Sequence, residues 1–288
     1  MKNRLTKYLL LPIFAFVLLS CSSVQNSGPE IEHQTGFMWK VTQGDATVWL
    51  LGSIHVAKAE LYPLPEEIET AYRDADSLVV EVNINELDPM AMVAKAMYTD
   101  GTFLKDHLKE KTWTELELVM KEYNVPEMLY SISKPWFAGL MLMQFALQQE
   151  GYDPNMGVDK HFLDLAKDKK GILELESLDF QLNMLESMSK DPDSYIEYSL
   201  KDLDILFEQV EKMFVAWDKG DIDLMTKLIV GARKDDPEYE YLYKILLDDR
   251  NITMTNKIKG YLKTDNTYFL VVGAGHLIGE KGILNLLK

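Results

Sequence analysis

Cysteine is almost missing: Cys21 is the only one in 288 residues, so the chain cannot close a disulfide on itself. Arginine is nearly as rare, limited to Arg4, Arg73, Arg233 and Arg250, and there are only five histidines. Basic side chains number 30 against 46 acidic ones, a formal net charge of −16. Such an acidic chain repels phosphates, which argues against nucleic acid and against electrostatic binding to anionic lipid. Neither Gly-x-Ser-x-Gly nor His-Glu-x-x-His occurs, so a standard serine-hydrolase elbow and a zincin helix are excluded. "GAGHLIG" (Gly273 to Gly279) misses the dinucleotide fingerprint spacing by one and has only nine residues after it.

The first segment reads as an export signal. Lys2, Arg4 and Lys7 precede "YLLLPIFAFVLL", which is too short and too soon followed by polar residues to make a good membrane span. "LLSC" then places Leu18, a small Ser20 and Cys21 as in a bacterial lipoprotein signal. The expectation is a leader at 1–20, an acylated Cys21 and a polar tether at 21–36. The mature protein would be exported and held at a membrane by its lipid alone.

The remaining chain is long enough for one substantial α/β domain. "FMWKVTQGDATVWLLGS" predicts a hairpin turning at Gly44-Asp45. "LPEEIETAYRDAD" predicts a helix with Pro65 near its start, and "SLVVEVN" (Ser77 to Asn83) a buried strand containing Glu81. Helical periodicity dominates from about 89 to 263, broken by a strand candidate, "ILELES". Within it, helices are expected over "TWTELELVMKEYN", capped by Thr112 or Thr114, and over "GVDKHFLDLAKDKKG", ending at Gly171. "TYFLVVGAGH" returns to strand character. The predicted fold is therefore α/β, with a mixed or parallel central sheet built from the two ends of the chain around a large helical insertion.

Two segments share one layout. "LLGSIH" ends a strand with Gly52-x-x-His55, and "VVGAGH" ends another with Gly273-x-x-His276. Ligands of open α/β sheets bind beyond the carboxyl ends of strands. Two imidazoles emerging there, with a carboxylate, suit a divalent transition ion. Glu81 is the candidate carboxylate. As a buried charge it needs a partner, and Arg250 in "DDRNITM" is the arginine expected to face the crevice. His33, in the tether, and His107, in a charged helix, read as structural.

These segments, with "GVDKHF" and "LES.DFQLNML", together resemble the TraB/PrgY/GumN family, to which the animal Tiki proteins are related, over residues 37–288. The resemblance implies a fold akin to the erythromycin-esterase and ChaN-like groups. For Tiki members it implies a metal-dependent peptidase using both histidine motifs and a Glu. It adds Glu176, Gln181, Asp159, His161 and Asn251 as site candidates. Asp159 and His161, two apart on a helix, cannot both face the site closely. The resulting expectation is a lipid-anchored hydrolase, peptidase-like with an ester as runner-up substrate. His55, His276 and Glu81 would hold Mn, Co or Zn, with Glu81 or Glu176 as base and Arg250 steadying an oxyanion or orienting the Glu. The alternative is a lipoprotein that binds a peptide or haem without turnover.

Overall fold

The computed structural model describes residues 28–231 and 237–288; the expected leader and Cys21 lie outside them. A six-stranded mixed sheet has the order β1-β2-β3-β6-β4-β5. Its strands are β1 (Glu30–His33), β2 (Met38–Gln43), β3 (Ala46–Ser53), β4 (Ser77–Val80), β5 (Gly171–Glu174) and β6 (Thr267–Gly273). The first three are antiparallel, and β3, β6, β4 and β5 run parallel. The hairpin turns where predicted: Gln43 pairs with Ala46, and Gly44 takes the positive φ of 61° that a two-residue turn needs.

β6, last in the sequence, enters the middle of the sheet. Its run from Tyr268 to Val272 is buried throughout, as befits a parallel strand covered on both faces. The helices are α1 (Glu66–Asp74), α2 (Pro89–Ala96), α3 (Glu110–Glu122), α4 (Glu127–Tyr130), α5 (Pro135–Gln149), α6 (Val158–Ala166) and α7 (Leu178–Met188). There follow α8 (Pro192–Asp218), α9 (Ile222–Gly231), α10 (Pro237–Tyr243), α11 (Asp249–Tyr261), α12 (Ala274–Leu277) and α13 (Ile283–Leu286). A π turn, Lys244–Asp248, joins α10 to α11. The helical region has its own apolar cluster, with Leu116, Tyr130, Leu142 and Ile196 fully buried. α8 links both cores: Ile196 belongs to that cluster, and Ala216 and Trp217 pack on the sheet. Among the described residues, no helix is long and apolar enough to cross a membrane.

Four expectations need correction. β1, with His33, falls inside the segment expected to be a tether; its polar sequence gains order by pairing with β2, and His33 packs on Trp39. β4 ends at Val80, so Glu81 stands just past the strand rather than in it. α3 starts at Glu110, before either threonine: Thr112 is buried and bonds to Glu197, while Thr114 bonds back to the Glu110 carbonyl. α6 stops at Ala166, short of Gly171, and Asp168 just beyond takes a left-handed φ of 60°.

Candidate active site

Register explains why the motif residues meet. Ser53 pairs with Gly273, and Val80 with Val271, so β3, β6 and β4 end at one edge of the sheet. His55, His276 and Glu81 each follow one of those ends. Gly52 allows the close approach of α12: a Cβ there would stand 3.0 Å from the Ala274 Cα. Its carbonyl accepts a hydrogen bond from Trp217 Nε1 at 2.7 Å. Gly273 lies at the centre. A methyl group on it would meet His55 Nε2 at 3.4 Å, Glu81 Oε1 at 3.5 Å and His276 Cδ2 at 3.6 Å, so the three side chains face one small space.

Each imidazole is oriented from behind. Asn251 donates from Nδ2 to the Lys281 carbonyl at 3.0 Å, which leaves its Oδ1 to accept from His276 Nδ1 at 2.6 Å. His276 therefore carries its hydrogen on Nδ1 and presents an Nε2 lone pair to Glu81 Oε1 at 3.7 Å. Asp159, in the first turn of α6, accepts from His55 Nδ1 at 3.2 Å. Gly157 makes this possible: a Cβ there would fall 2.5 Å from the His55 carbonyl oxygen. His161 turns away to Glu69 at 3.0 Å and packs on Tyr62, so of the two α6 candidates Asp159 alone reaches the site.

The carboxylates share one guanidinium. Arg250 bonds Glu81 Oε2 through Nη2 at 2.5 Å and Glu176 through Nε and Nη2, at 2.9 and 2.6 Å. Its Nη1 donates to the Leu246 carbonyl at 2.9 Å, so all three nitrogens are engaged and Arg250 orients carboxylates. Gln181 donates to Glu176 at 2.9 Å and to Glu81 at 3.4 Å, and Gly273 N–H donates to Glu81 Oε1 at 2.8 Å. The Glu176 side chain is only 3% exposed and points to Arg250, whereas Glu81 turns one oxygen to the imidazoles.

These contacts set the ionisation states. Burial alone would raise the pKa of Glu81; the charges of His276, His55 and Arg250 and the Gly273 N–H reverse this and bring it down to about 2. Burial pushes His276 down to about 4 despite Glu81. His276 is thus neutral at neutral pH, where Arg250, His55 and the Gly273 N–H keep Glu81 ionised. Asp159 holds His55 up to about 9 against its desolvation, although that side chain is 65% exposed. A cation reaching His55 Nε2 would displace a proton.

The atoms facing this space are of the types that divalent ions take as ligands. His276 Nε2 and Glu81 Oε1 are both acceptors, and no protein hydrogen lies between them. Both Nδ1 positions are held by oxygen acceptors, the usual outer support of metal-binding histidines. Glu81 and Glu176 outweigh Arg250 by one negative charge. Among the described residues, no group of three or more His, Cys, Asp or Glu side chains is placed so that it could hold a metal ion as it stands; two imidazoles and one carboxylate oxygen only face one small space. Residue reading missed the supports from Gly157, Trp217 and Lys281. Of these, Gly157 alone had a visible signal, a glycine directly before an amphipathic helix.

The chain has sequence relatives among known proteins. The YbaP proteins of Escherichia coli (strain K12) and Shigella flexneri are each 23% identical to the chain over 272 residues, covering 87% of it and 97% of their own length. A Treponema pallidum (strain Nichols) protein is 24% identical over 174 residues, which is 58% of this chain and 52% of that protein. None of these relatives has a name that states an activity. The family model described as "TraB/PrgY/gumN family" matches residues 37–288, nearly all of the described structure, and the chain belongs to that family.

Proposed function

We propose that the protein is a metal-dependent hydrolase acting on peptides, exported and anchored through a lipid on Cys21. The observation that carries this is the His276 Nε2 lone pair facing Glu81 Oε1 at 3.7 Å, with His55 Nε2 beside the same glycine. His55, His276 and Glu81 would hold a divalent ion, Mn, Co or Zn. Such an ion supplies Lewis acidity, polarising a carbonyl and lowering the pKa of water toward neutrality. Glu81 suits a ligand better than a general base, because its carboxyl is ionised down to about pH 2 and a base works best near the operating pH. Asp159 and Asn251 fix the two imidazoles. Arg250, Gln181 and Glu176 fix Glu81. The exposed His55 side is the open side, from which a substrate carbonyl would enter. We also propose the finer kinship of the fold, to erythromycin-esterase and ChaN-like proteins.

A haem-binding reading has less support. Haem wants an apolar slot beside its ligands, and the groups around His276 are carboxylates, an amide and a guanidinium.

Calorimetric titration with Mn²⁺, Co²⁺ and Zn²⁺ tests the site. We expect about one ion per chain, lost in His55→Ala and in His276→Ala. Gly273→Ala should keep the fold, since its φ is −49°, yet weaken binding by filling the centre. Full-affinity binding in both histidine variants would end the proposal. The anchor is tested separately: Cys21→Ala should leave the membrane fraction, and a variant that fractionates and migrates like wild type would disprove lipidation.

A further inference from the structure

One polar group at this sheet edge has no partner. Ser53, the last residue of β3, is 2% exposed, and among the described residues no donor or acceptor reaches its Oγ. Leaving a buried hydroxyl unpaired costs stability. Among the described residues Tyr130, Trp136 and Thr255 also carry such an atom. The first two lie in the helical region and the third midway along α11, so Ser53 alone stands at the edge where the site is built. Its direction follows from the sheet. Ser53 pairs with Gly273, and residues paired across neighbouring strands point to the same face, with the strands roughly 4.8 Å apart. A Cβ on Gly273 is the one that would meet His55, Glu81 and His276 at 3.4 to 3.6 Å. The preceding residue agrees: a Cβ on Gly52 would point to Ala274 and Phe37, and successive residues of a strand alternate. The first turn of α6 is tied over this strand end, with Val158 N–H donating to the Ile54 carbonyl at 3.0 Å. The hydroxyl is thus shielded from bulk water on the face that His55, Glu81 and His276 share.

A hydroxyl there fills a gap in the donor set. Arg250 and Gln181 donate to the two glutamates, and Gly273 N–H donates to Glu81. Asn251 Nδ2 donates to the Lys281 carbonyl and Trp217 Nε1 to the Gly52 carbonyl. None of these is left to meet negative charge that develops on a substrate. In acyl hydrolysis, water adds to the carbonyl carbon and the C=O electron pair moves onto the oxygen. A positioned O–H donor stabilises that oxygen, most strongly where bulk water is excluded. In this role Ser53 keeps its proton and forms no bond to carbon. A serine nucleophile needs a base within hydrogen-bond reach, and Ser53 has none among the described residues.

We infer that Ser53 is a further catalytic residue, whose Oγ–H donates to the carbonyl oxygen of a peptide held at the His55–Glu81–His276 centre; this rests on the hydrolase reading above. The experiment has three arms, all on the purified full chain. Without metal, Ser53→Ala should melt at or slightly above wild type, because an unpartnered hydroxyl stabilises nothing in the free protein. A midpoint several degrees lower would show that the hydroxyl already has an internal partner, and would overturn the inference. Location is read with Ser53→Cys in a Cys21→Ala background, where residue 53 carries the only thiol. Cysteine thiolate ligates divalent transition ions. Co²⁺ should therefore give a near-ultraviolet thiolate-to-cobalt band that the Cys21→Ala protein lacks and that adding His276→Ala abolishes. Bound Co²⁺ without that band would place residue 53 out of reach of the centre and overturn the inference. In the third arm, peptide cleavage with Mn²⁺, Ser53→Ala should lower kcat about 10²–10³-fold, the usual cost of one oxyanion donor, with KM and Mn²⁺ affinity near wild type. Wild-type kcat in that variant refutes the Ser53 role alone. A peptide fragment carried covalently on Ser53 during turnover would make it a nucleophile and overturn the inference too. A wild-type chain that binds neither ion and cuts no peptide refutes the hydrolase, and the Ser53 role falls with it.

Discussion

Arg250→Ala is expected to cost about 3–5 kcal/mol of stability, the usual result of stripping a buried ion cluster of one partner. Arg250 is 7% exposed and, among the described residues, the only cation hydrogen-bonded to both Glu81 and Glu176. Without it two buried carboxylates face each other, and Gln181 cannot compensate their charge. For a domain of this size the thermal midpoint should fall by roughly 10 °C. The sign with pH is diagnostic. Loss of the cation raises the folded pKa of at least one carboxyl above its unfolded value, so the variant retains stability below the unfolded pKa and loses it as pH rises through the new folded value. Its deficit against wild type should therefore be larger at pH 7 than at pH 5. Adding Glu176→Gln should recover part of the loss, because one uncompensated charge disappears. Melting curves of the three proteins at both pH values provide the check. An Arg250→Ala midpoint equal to wild type would mean that the cluster is not a structural unit. Arg250→Lys should fall between, since one ammonium cannot reproduce the fork that engages two carboxylates and the Leu246 carbonyl.

Much of this site was legible in the sequence because its parts sit at strand ends, where glycine and histidine interrupt apolar runs. Gly52-x-x-His55 and Gly273-x-x-His276 announce two such ends, and β3 and β6 are neighbours in parallel register. The need of Glu81 for a cation, set against the rarity of arginine, led to Arg250. What was not legible depends on contacts between distant segments. The polar sequence of β1 has no strand periodicity, and it is ordered by pairing with β2, with Ile31 against the core and His33 on Trp39. The position of Glu81 just beyond β4 cannot be read from "VVEV", in which every neighbour is strand-forming. The shared guanidinium could not be foreseen either, because it depends on α11 entering through a π turn that aims Arg250 at both glutamates. Helix ends were misread at α3 and α6 for a local reason: threonine and glycine are cap signals, and here the chain uses neither as a cap.

Glu81→Gln is expected to abolish metal-dependent turnover, with at least about a hundredfold loss of the kind seen when a supporting or ligating group at a metal centre is removed. The amide keeps the shape and can still accept from Gly273 N–H, but its NH2 then replaces the oxygen that accepts from Arg250 and Gln181, so one acceptor is lost with the charge. Arg250 stays paired with Glu176 at 2.6 Å, and no buried charge is left alone. The thermal midpoint at neutral pH should therefore change by only a few degrees, in contrast with Arg250→Ala. The acid limb offers a second readout. In metal-free wild type, Glu81 has its folded pKa pulled below the unfolded value to about 2, so its contribution is present above the unfolded pKa and is lost as pH falls toward 2. His276 acts in the adjoining window. Its folded pKa is about 4, below the ordinary histidine value, so the unfolded state takes up the proton first, and stability falls as pH drops from about 6.5 to about 4. Glu81→Gln should delete the lower component and keep the upper one; His276→Gln should delete the upper one and shrink the lower, because the charge on His276 helps to lower the Glu81 pKa. Peptide cleavage with Mn²⁺, Co²⁺ or Zn²⁺, beside melts from pH 7 to pH 3, reads both. Undiminished cleavage by Glu81→Gln would remove Glu81 from the chemistry and leave the two imidazoles, with Asp159 as the nearest remaining carboxylate, to account for it.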